Sequence, residues 1–365
     1  MAGTVITQRP RARDVGIRIG PLATGPHNAI TDVAGVRVGH VTLISGDGPL
    51  HIGQGPVRTG VTAILPPGDD WYFQPVEAGN FVFNGAGTTA GLSLIDEFGR
   101  IETPVLLTNT LSVGAVYEGI VRYMVEHTFA PRGSVPWFNP LVGETSDAYL
   151  NDIGGLHVRP EHAMEAIRLA SGGPVEEGCV GGGTGMGAFG FKGGIGTSSR
   201  IVELGGDSAV VGSLVQSNFG GRLAIDGVPM NDLQTAPSQQ ALGASLMMII
   251  ATDLPLSNRL LNRVAKRATL GMARTGSTGG HGSGDYVIAF STTQRLPEAM
   301  AGARRMLADD ESAIDVVFQA VADATEEAIL NSLFRARTVV GRDGNRREEL
   351  PLELVLERLR QAGRV

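Results

Sequence analysis

The sequence has little cysteine, few aromatic residues and no excess of basic charge. Its 365 residues include one cysteine, Cys179, so no disulfide can form within the chain, as is typical of proteins from a reducing compartment. With 30 Lys+Arg against 37 Asp+Glu, the net charge of −7 excludes a generally basic surface for nucleic acid or anionic membrane. The longest apolar run, 246–251, is too short to span a membrane, and no secretory signal pattern opens the chain. We therefore expect a cytoplasmic protein without a nucleic-acid or membrane partner.

Glycine, by contrast, is abundant, with 52 residues and no collagen-like period. Between residues 178 and 196 it fills about every second position, which predicts backbone packed closely against neighbouring segments. The G-x-G-x-x-G pattern at 185–190 lies in this segment. No helix pattern follows it, so the helix N-terminus that binds phosphate in dinucleotide folds is not predicted here.

Strand patterns and helix patterns alternate along the chain, which indicates an α/β fold. Apolar spacing predicts helices over 112–127, 160–170, 255–273 and 312–334. Strands are predicted over 60–65, 104–108, 200–203, 208–216, 245–251 and 285–291. The polar, proline-bearing segment 226–244 is typical of an exposed loop, and a fully apolar strand follows it at once.

Two common kinds of catalytic site are not indicated. The seven histidines lack zinc-site spacing, and one cysteine allows no C-x-x-C motif, so we predict no metal. His281, Ser283 and Asp285 are the residue types of a catalytic triad. At every second position of an extended segment they would point the same way instead of facing one another.

Ser245 stands between the polar loop and the apolar strand. It is either an ordinary first residue of a strand or, if the preceding peptide bond is cut, a new N-terminus. In the second case its own α-amine, with a pKa of about 7.7 in model compounds, can accept the hydroxyl proton without any histidine.

The chain resembles the L-aminopeptidase/D-esterase family, which includes the β-peptidyl aminopeptidases. The blocks that carry the resemblance cover nearly the whole chain in order, and they include HNAITDVAGVRVGH, LLTNTLSVG, ETSDAYLNDIGGLHV, VGGGTGMGAFGFKGGIGTSSR, VQSNFG, SLMMIIATDLPL and GSGDYVIAFST. These enzymes are self-processing N-terminal-nucleophile hydrolases. The resemblance implies a four-layer α-β-β-α sandwich with two stacked sheets, and one catalytic domain, 1–365, that cleaves itself into 1–244 and 245–365. It also implies a homotetramer of the two-fragment unit.

The resemblance also implies a role for each matched residue. Ser245 is the expected nucleophile, and the bond between Ala244 and Ser245 is the expected cleavage site. Asn218 corresponds to the oxyanion-hole donor, and Ser283 and Asp285 to the pair that orients the nucleophile and its amine. Glu144 corresponds to the acid that receives the substrate's ammonium, which implies a serine aminopeptidase that releases N-terminal residues from short peptides, amides or esters through an acyl-enzyme. Because the amine, the oxyanion donor and the acid supply the proton and charge chemistry, the resemblance implies no cofactor.

Two positions depart from the family pattern. Ala244 stands where glycine is common, and we expect its methyl group to slow or prevent self-cleavage. Ser146 stands where an aromatic residue is common. The alternatives that stay open are an acyltransferase or pantetheine-type amide hydrolase on the same fold, an unprocessed non-catalytic relative, and a conventional serine hydrolase that uses His281.

Overall fold

The computed structural model describes residues 8–204, 206–233, 244–295, 306–307 and 311–365. The α-helices are α1 (Leu92–Phe98), α2 (Val113–Met124), α3 (Pro160–Arg168), α4 (Asn258–Arg274), α5 (Glu311–Arg335) and α6 (Leu352–Gln361). In the described part of the chain, no helix combines the length and the apolar character needed to cross a membrane.

The strands form two main sheets and three short hairpins. In chain order they are β1 (Arg37–Ser45), β2 (Val57–Leu65), β3 (Val76–Gly85), β4 (Thr89–Ala90), β5 (Arg100–Ile101), β6 (Val105–Asn109), β7 (Leu141–Thr145), β8 (Gly187–Ala188), β9 (Phe191–Lys192), β10 (Gly194–Leu204), β11 (Asp207–Asn218), β12 (Ala224–Ile225), β13 (Val228–Pro229), β14 (Ser245–Thr252), β15 (Gly284–Arg295), β16 (Val339–Val340) and β17 (Arg346–Arg347). One sheet has the order β1-β2-β6-β7-β4, and the other has the order β10-β11-β14-β15-β3-β5. Each sheet is mixed, since β6 with β7 and β14 with β15 are parallel pairs.

Three apolar clusters separate four layers. The middle cluster lies between the sheets and joins Ile64 and Leu107 of one sheet to Ile249 of the other. A second cluster packs α2 and α3 on the five-stranded sheet, and a third packs α4 and α5 on the six-stranded sheet. The α-β-β-α sandwich predicted from the family resemblance is therefore confirmed.

The strand that begins at Ser245 is buried along its whole length. Met247 and Ile249 belong to the cluster between the sheets, whereas Met248 and Ile250 belong to the cluster under α4 and α5. The predicted strand with two buried faces is confirmed. Because side chains alternate along a strand, Ser245 shares the face of Met247 and lies toward the gap between the sheets.

The glycine-dense segment packs as predicted. A Cβ atom on Gly183 would lie 2.5 Å from the backbone nitrogen of Ile195, and one on Gly196 would lie 2.0 Å from the carbonyl oxygen of Ala328. Glycine therefore lets this segment pass under β10 and lets α5 lie directly on that strand.

Some elements differ from the sequence-based predictions. The strands β3 and β7 and the helices α1 and α6 were missing from them. In β3 the glycines and polar residues hide the strand pattern. In α6 only Val355 and Leu359 are buried, and charged residues alternate with the leucines. The predicted loop 226–244 contains β13 in its first part, and its residues 234–243 lie outside the described residues.

Gly196→Ala should destabilise the protein, because the added methyl group would meet the backbone of α5. We expect a loss of about 1–3 kcal/mol in the free energy of unfolding, measured by denaturant unfolding. Gly114→Ala is the matched control, since a Cβ there meets nothing within 4 Å on an exposed face of α2. It should leave stability equal or slightly higher. Equal effects of the two substitutions would contradict the close approach of α5 to β10.

Candidate active site

Ser245 is the first residue of β14, at the end of a strand that has a partner on each side. It pairs with Asn218 of β11 in the antiparallel ladder and with Gly284 of β15 in the parallel ladder. The residue is 5% exposed. Its position is therefore fixed by two backbone ladders rather than by a loop.

The peptide bond before Ser245 lies beside a cavity. Ser245 Oγ donates a hydrogen bond to the carbonyl oxygen of Ala244 at 2.6 Å, and the backbone N–H of Gly284 donates to the same oxygen at 3.1 Å. The cavity, of about 310 Å³, is lined by Ala244 and by the turn 280–283. The hydroxyl thus lies against the carbonyl group it would attack in self-cleavage, and an N–H group already binds the oxygen that would gain charge.

Asn218 is completely buried directly opposite Ser245. Residues that face each other across an antiparallel pair project their side chains on the same face of the sheet. Its Oδ1 accepts a hydrogen bond from the N–H of Gly187 at 3.1 Å. This contact makes Oδ1 the accepting side of the amide, so the Nδ2 side is the donor that an oxyanion near Ser245 would need.

Ser283 and Asp285 form a hydrogen-bonded pair beside the start of β14. Ser283 Oγ donates to Asp285 Oδ1 at 2.8 Å, and Asn84 Nδ2 donates to Asp285 Oδ2 at 2.9 Å. The backbone of Leu246 also donates to this carboxylate, which places it next to the α-amine that cleavage would create on Ser245. Burial raises the pKa of Asp285, and the three donors oppose that rise.

Glu144 lies at the end of β7 on the facing sheet and is 2% exposed. Its Oε1 accepts the backbone N–H of Thr88 at 2.8 Å, and its Oε2 accepts the hydroxyl of Thr110 in a short hydrogen bond. Burial raises the pKa of this carboxyl group. A Cβ on Gly87 would lie 2.8 Å from Glu144 Oε1 and 3.3 Å from the Cα of Gly284, so Gly87 occupies the space between Glu144 and the start of β15.

The structure thus gathers the residues that the family resemblance indicated. Four of them lie together at the start of β14: Ser245, Asn218, Ser283 and Asp285. Glu144 lies across the gap between the sheets. His281 is exposed and forms no hydrogen bond within the described part of the chain, so the arrangement gives no support to a conventional triad.

Several further residues that hold the site were not predicted. They are Asn84, the N–H groups of Thr88 and Gly187, and the hydroxyl of Thr110. Thr110 and Gly187 lie inside blocks that carry the resemblance, but their contacts arise only when distant segments meet. Among the described residues no group of three or more His, Cys, Asp or Glu side chains is arranged to hold a metal ion.

Comparison with solved structures agrees with this geometry. The L-aminopeptidase D-Ala-esterase/amidase of Ochrobactrum anthropi superimposes with a TM-score of 0.89 at 40% identity, over 98% of this chain and 99% of that one. It is described as a prototype for the serine aminopeptidases and a new variant of the N-terminal-nucleophile hydrolase fold. A protein of Pyrococcus horikoshii OT3 superimposes with a TM-score of 0.92 at 50% identity, over 98% and 100% of the two chains. Fold and site together define a serine hydrolase of the N-terminal-nucleophile class.

Sequence comparison specifies the family. The family model of peptidase family S58 matches residues 28–347. The beta-peptidyl aminopeptidase BapA of Sphingosinicella microcystinivorans is 43% identical over 99% of this chain and 95% of its own length. The chain therefore belongs to peptidase family S58, and it is an aminopeptidase, as the resemblance implied.

Asp285→Asn removes a buried charge, but it also replaces one of the two oxygens that accept hydrogen bonds with an NH2 group. Its effect on stability should therefore depend on pH. A raised folded-state pKa means that the stability this carboxyl contributes is full below its ordinary pKa and is lost as pH rises through the raised value. The stability of the Asp285→Asn variant relative to the parent protein should therefore rise over the pH range that lies above the ordinary pKa of an aspartate, about 4.

The measurement is the thermal unfolding midpoint across that pH range. Both proteins should carry Ser245→Ala, so that backbone cleavage cannot differ between them. A difference that stays constant with pH, or a loss of stability that grows as pH rises, would contradict the assignment.

Proposed function

We propose that this protein cleaves itself between Ala244 and Ser245 and then uses Ser245 as the nucleophile of an aminopeptidase. The observation that carries the proposal is the contact of Ser245 Oγ with the carbonyl of Ala244, at the start of a strand flanked by Asn218 and Asp285. Attack of Oγ on that carbonyl carbon would move the acyl group from nitrogen to oxygen, and water would then release Ala244. The Gly284 N–H would stabilise the oxyanion in this step.

The two fragments, 1–244 and 245–365, would stay interlocked after the cut. The strand β14 of the second fragment pairs with β11 of the first, and β15 of the second pairs with β3 of the first. The cleaved bond precedes the first paired residue of β14, so cleavage affects only the hydrogen bond from the Gly284 N–H to the Ala244 carbonyl. The residue pairs from Ser245 to Thr252 stay intact on both sides. We therefore propose that both fragments remain in one catalytic domain spanning 1–365.

In turnover, the free α-amine of Ser245 would accept the proton from Oγ as the hydroxyl attacks the substrate's carbonyl carbon. Asn218 would donate to the resulting oxyanion, while Ser283 and Asp285 hold the amine. The protonated amine would then pass its proton to the leaving group. Water would hydrolyse the ester on Ser245 and release the N-terminal residue.

Glu144 would select substrates that have a free ammonium group, since an ionised carboxylate pairs with it and this carboxylate is buried. Relatives with similar sequences are named for β-peptides, L-amino acids and a D-alanyl ester or amide. We therefore propose short peptides, amides or esters with an unblocked amine as substrates. Acyl transfer to an acceptor amine would use the same ester intermediate, so product analysis separates the two activities.

Two further expectations concern the protein's assembly and location. We propose a homotetramer of the two-fragment unit, by analogy with the family, and light scattering on the purified protein measures its mass. A cytoplasmic location stays a prediction that rests on the single cysteine.

Ser245→Ala should leave the chain whole, because the substitution removes the hydroxyl oxygen that lies against the Ala244 carbonyl. Intact-mass spectrometry under denaturing conditions should show two fragments for the unaltered protein, the second beginning at Ser245. Ser208→Ala, at an exposed position on β11, is the matched control and should be cut normally. A whole chain in all three proteins would show that Ala244 prevents processing and would favour the unprocessed relative.

Glu144→Gln should lower kcat/KM for a free-amine anilide by about 10- to 100-fold, which is the worth of one charged hydrogen bond. The des-amino analogue of the same anilide should be cleaved equally by both enzymes. Glu118→Gln, in an exposed ion pair on α2, controls for loss of a carboxylate. If Glu144→Gln lowered both rates equally, Glu144 would not be the group that binds the ammonium.

A further inference from the structure

A hydrogen-bonded segment crosses from one sheet to the other above the start of β15. It joins β3, which ends at Gly85, to β4, which begins at Thr89 and pairs with β7. Within it, the N–H of Ala86 donates to the carbonyl of Ser283, and the N–H of Thr88 donates to Glu144 Oε1. The segment therefore touches both the orienting pair and the acid on the facing sheet.

One face of β15 turns toward the gap between the sheets. On that face Gly284 has no side chain, and the next residue is Tyr286. Its hydroxyl donates a hydrogen bond to the carbonyl of Gly87 at 2.7 Å. A Cβ on Gly87 would lie 3.3 Å from Cε2 of the Tyr286 ring and 2.8 Å from Glu144 Oε1. The ring and the carboxylate therefore both lie next to the same glycine.

The carbonyl of Gly87 and the N–H of Thr88 belong to a single peptide unit. The Tyr286 hydroxyl binds one end of that unit, and Glu144 binds the other end. Hydrogen bonds in such a chain polarise one another, and the first one fixes the plane of the peptide. In the described part of the chain, the Tyr286 hydroxyl is the hydrogen-bond donor to the Gly87 carbonyl, and no second donor would hold this carbonyl if the hydroxyl were lost. Glycine at this position then allows the peptide to turn.

We propose that Tyr286 is a positioning residue for substrate binding, which acts through the peptide unit between Gly87 and Thr88 to hold Glu144 where it receives the substrate's ammonium. The proposal rests on the proposed function of Glu144. Tyr286 does not touch the reacting atoms, so its loss should weaken binding of the ammonium more than it slows the chemical step.

Donors to a carboxylate favour its ionised form, so loss of the Thr88 N–H should raise the pKa of Glu144 further above its ordinary value. The other donor to this carboxyl group, the hydroxyl of Thr110 on Oε2, stays unchanged. The titratable group beside Glu144 is Tyr286 itself. Protonated Glu144 cannot pair with an ammonium. As pH falls, binding of the substrate's ammonium should therefore be lost at a higher pH in a variant that lacks the Tyr286 hydroxyl than in the unaltered enzyme.

The test compares Tyr286→Phe with the unaltered enzyme on a free-amine anilide and its des-amino analogue. We expect KM for the free-amine substrate to rise about three- to tenfold, with kcat nearly unchanged. The acid limb of the pH profile of kcat/KM should move to higher pH for the free-amine anilide and not for its des-amino analogue. Tyr123→Phe on α2 is the matched control and should leave both parameters unchanged.

The outcomes separate the two claims. If Glu144→Gln abolishes the preference for a free amine and Tyr286→Phe leaves KM and the acid limb unchanged, the positioning role is wrong and the proposed function stands. If Glu144→Gln leaves the preference intact, the proposed function of Glu144 is wrong.

A second measurement does not depend on processing or activity. In uncut Ser245→Ala protein with ¹³C-labelled glutamate, the Glu144 carboxyl signal is identified by its loss in Glu144→Gln. Its titration midpoint should lie at higher pH when Tyr286 is also replaced by phenylalanine. An unmoved midpoint would overturn the link between Tyr286 and Glu144, whatever the activity of the enzyme.

Discussion

The site depends on the pairing of β14 with a strand on each side. Because Ser245 is the first residue of that strand, the ladder to β11 places Asn218 opposite it, and the ladder to β15 brings Ser283 and Asp285 beside it. Both ladders continue to Thr252, so the position of Ser245 does not need an intact bond to Ala244. A nucleophile that must become a chain terminus is thereby held as rigidly as an interior residue.

This arrangement places two carboxyl groups in buried positions, which lowers the stability of the folded protein. Burial raises the pKa of both Asp285 and Glu144, and each is surrounded by hydrogen-bond donors that favour its ionised form. Stability alone would favour neutral side chains there, whereas an amine and an ammonium need negative charge. The glycines at 87 and 284 let the crossing segment pass close to Glu144, so that the N–H of Thr88 can supply part of this compensation. For Asp285 the backbone donor is Leu246 of β14.

The sequence predicted the layers better than it predicted the contacts. Apolar runs such as 245–251 indicate buried strands, because a strand that is buried on both faces carries apolar side chains at successive positions. The site residues were predicted from the blocks that carry the family resemblance. The strand β3 was missed because its glycines and asparagines serve contacts with α4 and Asp285 rather than an apolar face. The peptide between Gly87 and Thr88 could not be predicted, because backbone donors have no side-chain signature and meet Glu144 only in the folded chain.

The central claim is that Ser245 carries the acyl group during turnover. The most direct measurement is mass spectrometry of the enzyme quenched with acid while it turns over a slow ester substrate that has a free amine. The account predicts an acyl adduct on the peptide that begins at Ser245, and its absence when the substrate is omitted. An adduct on any other peptide, or turnover with none at Ser245 under conditions in which deacylation limits the rate, would contradict it.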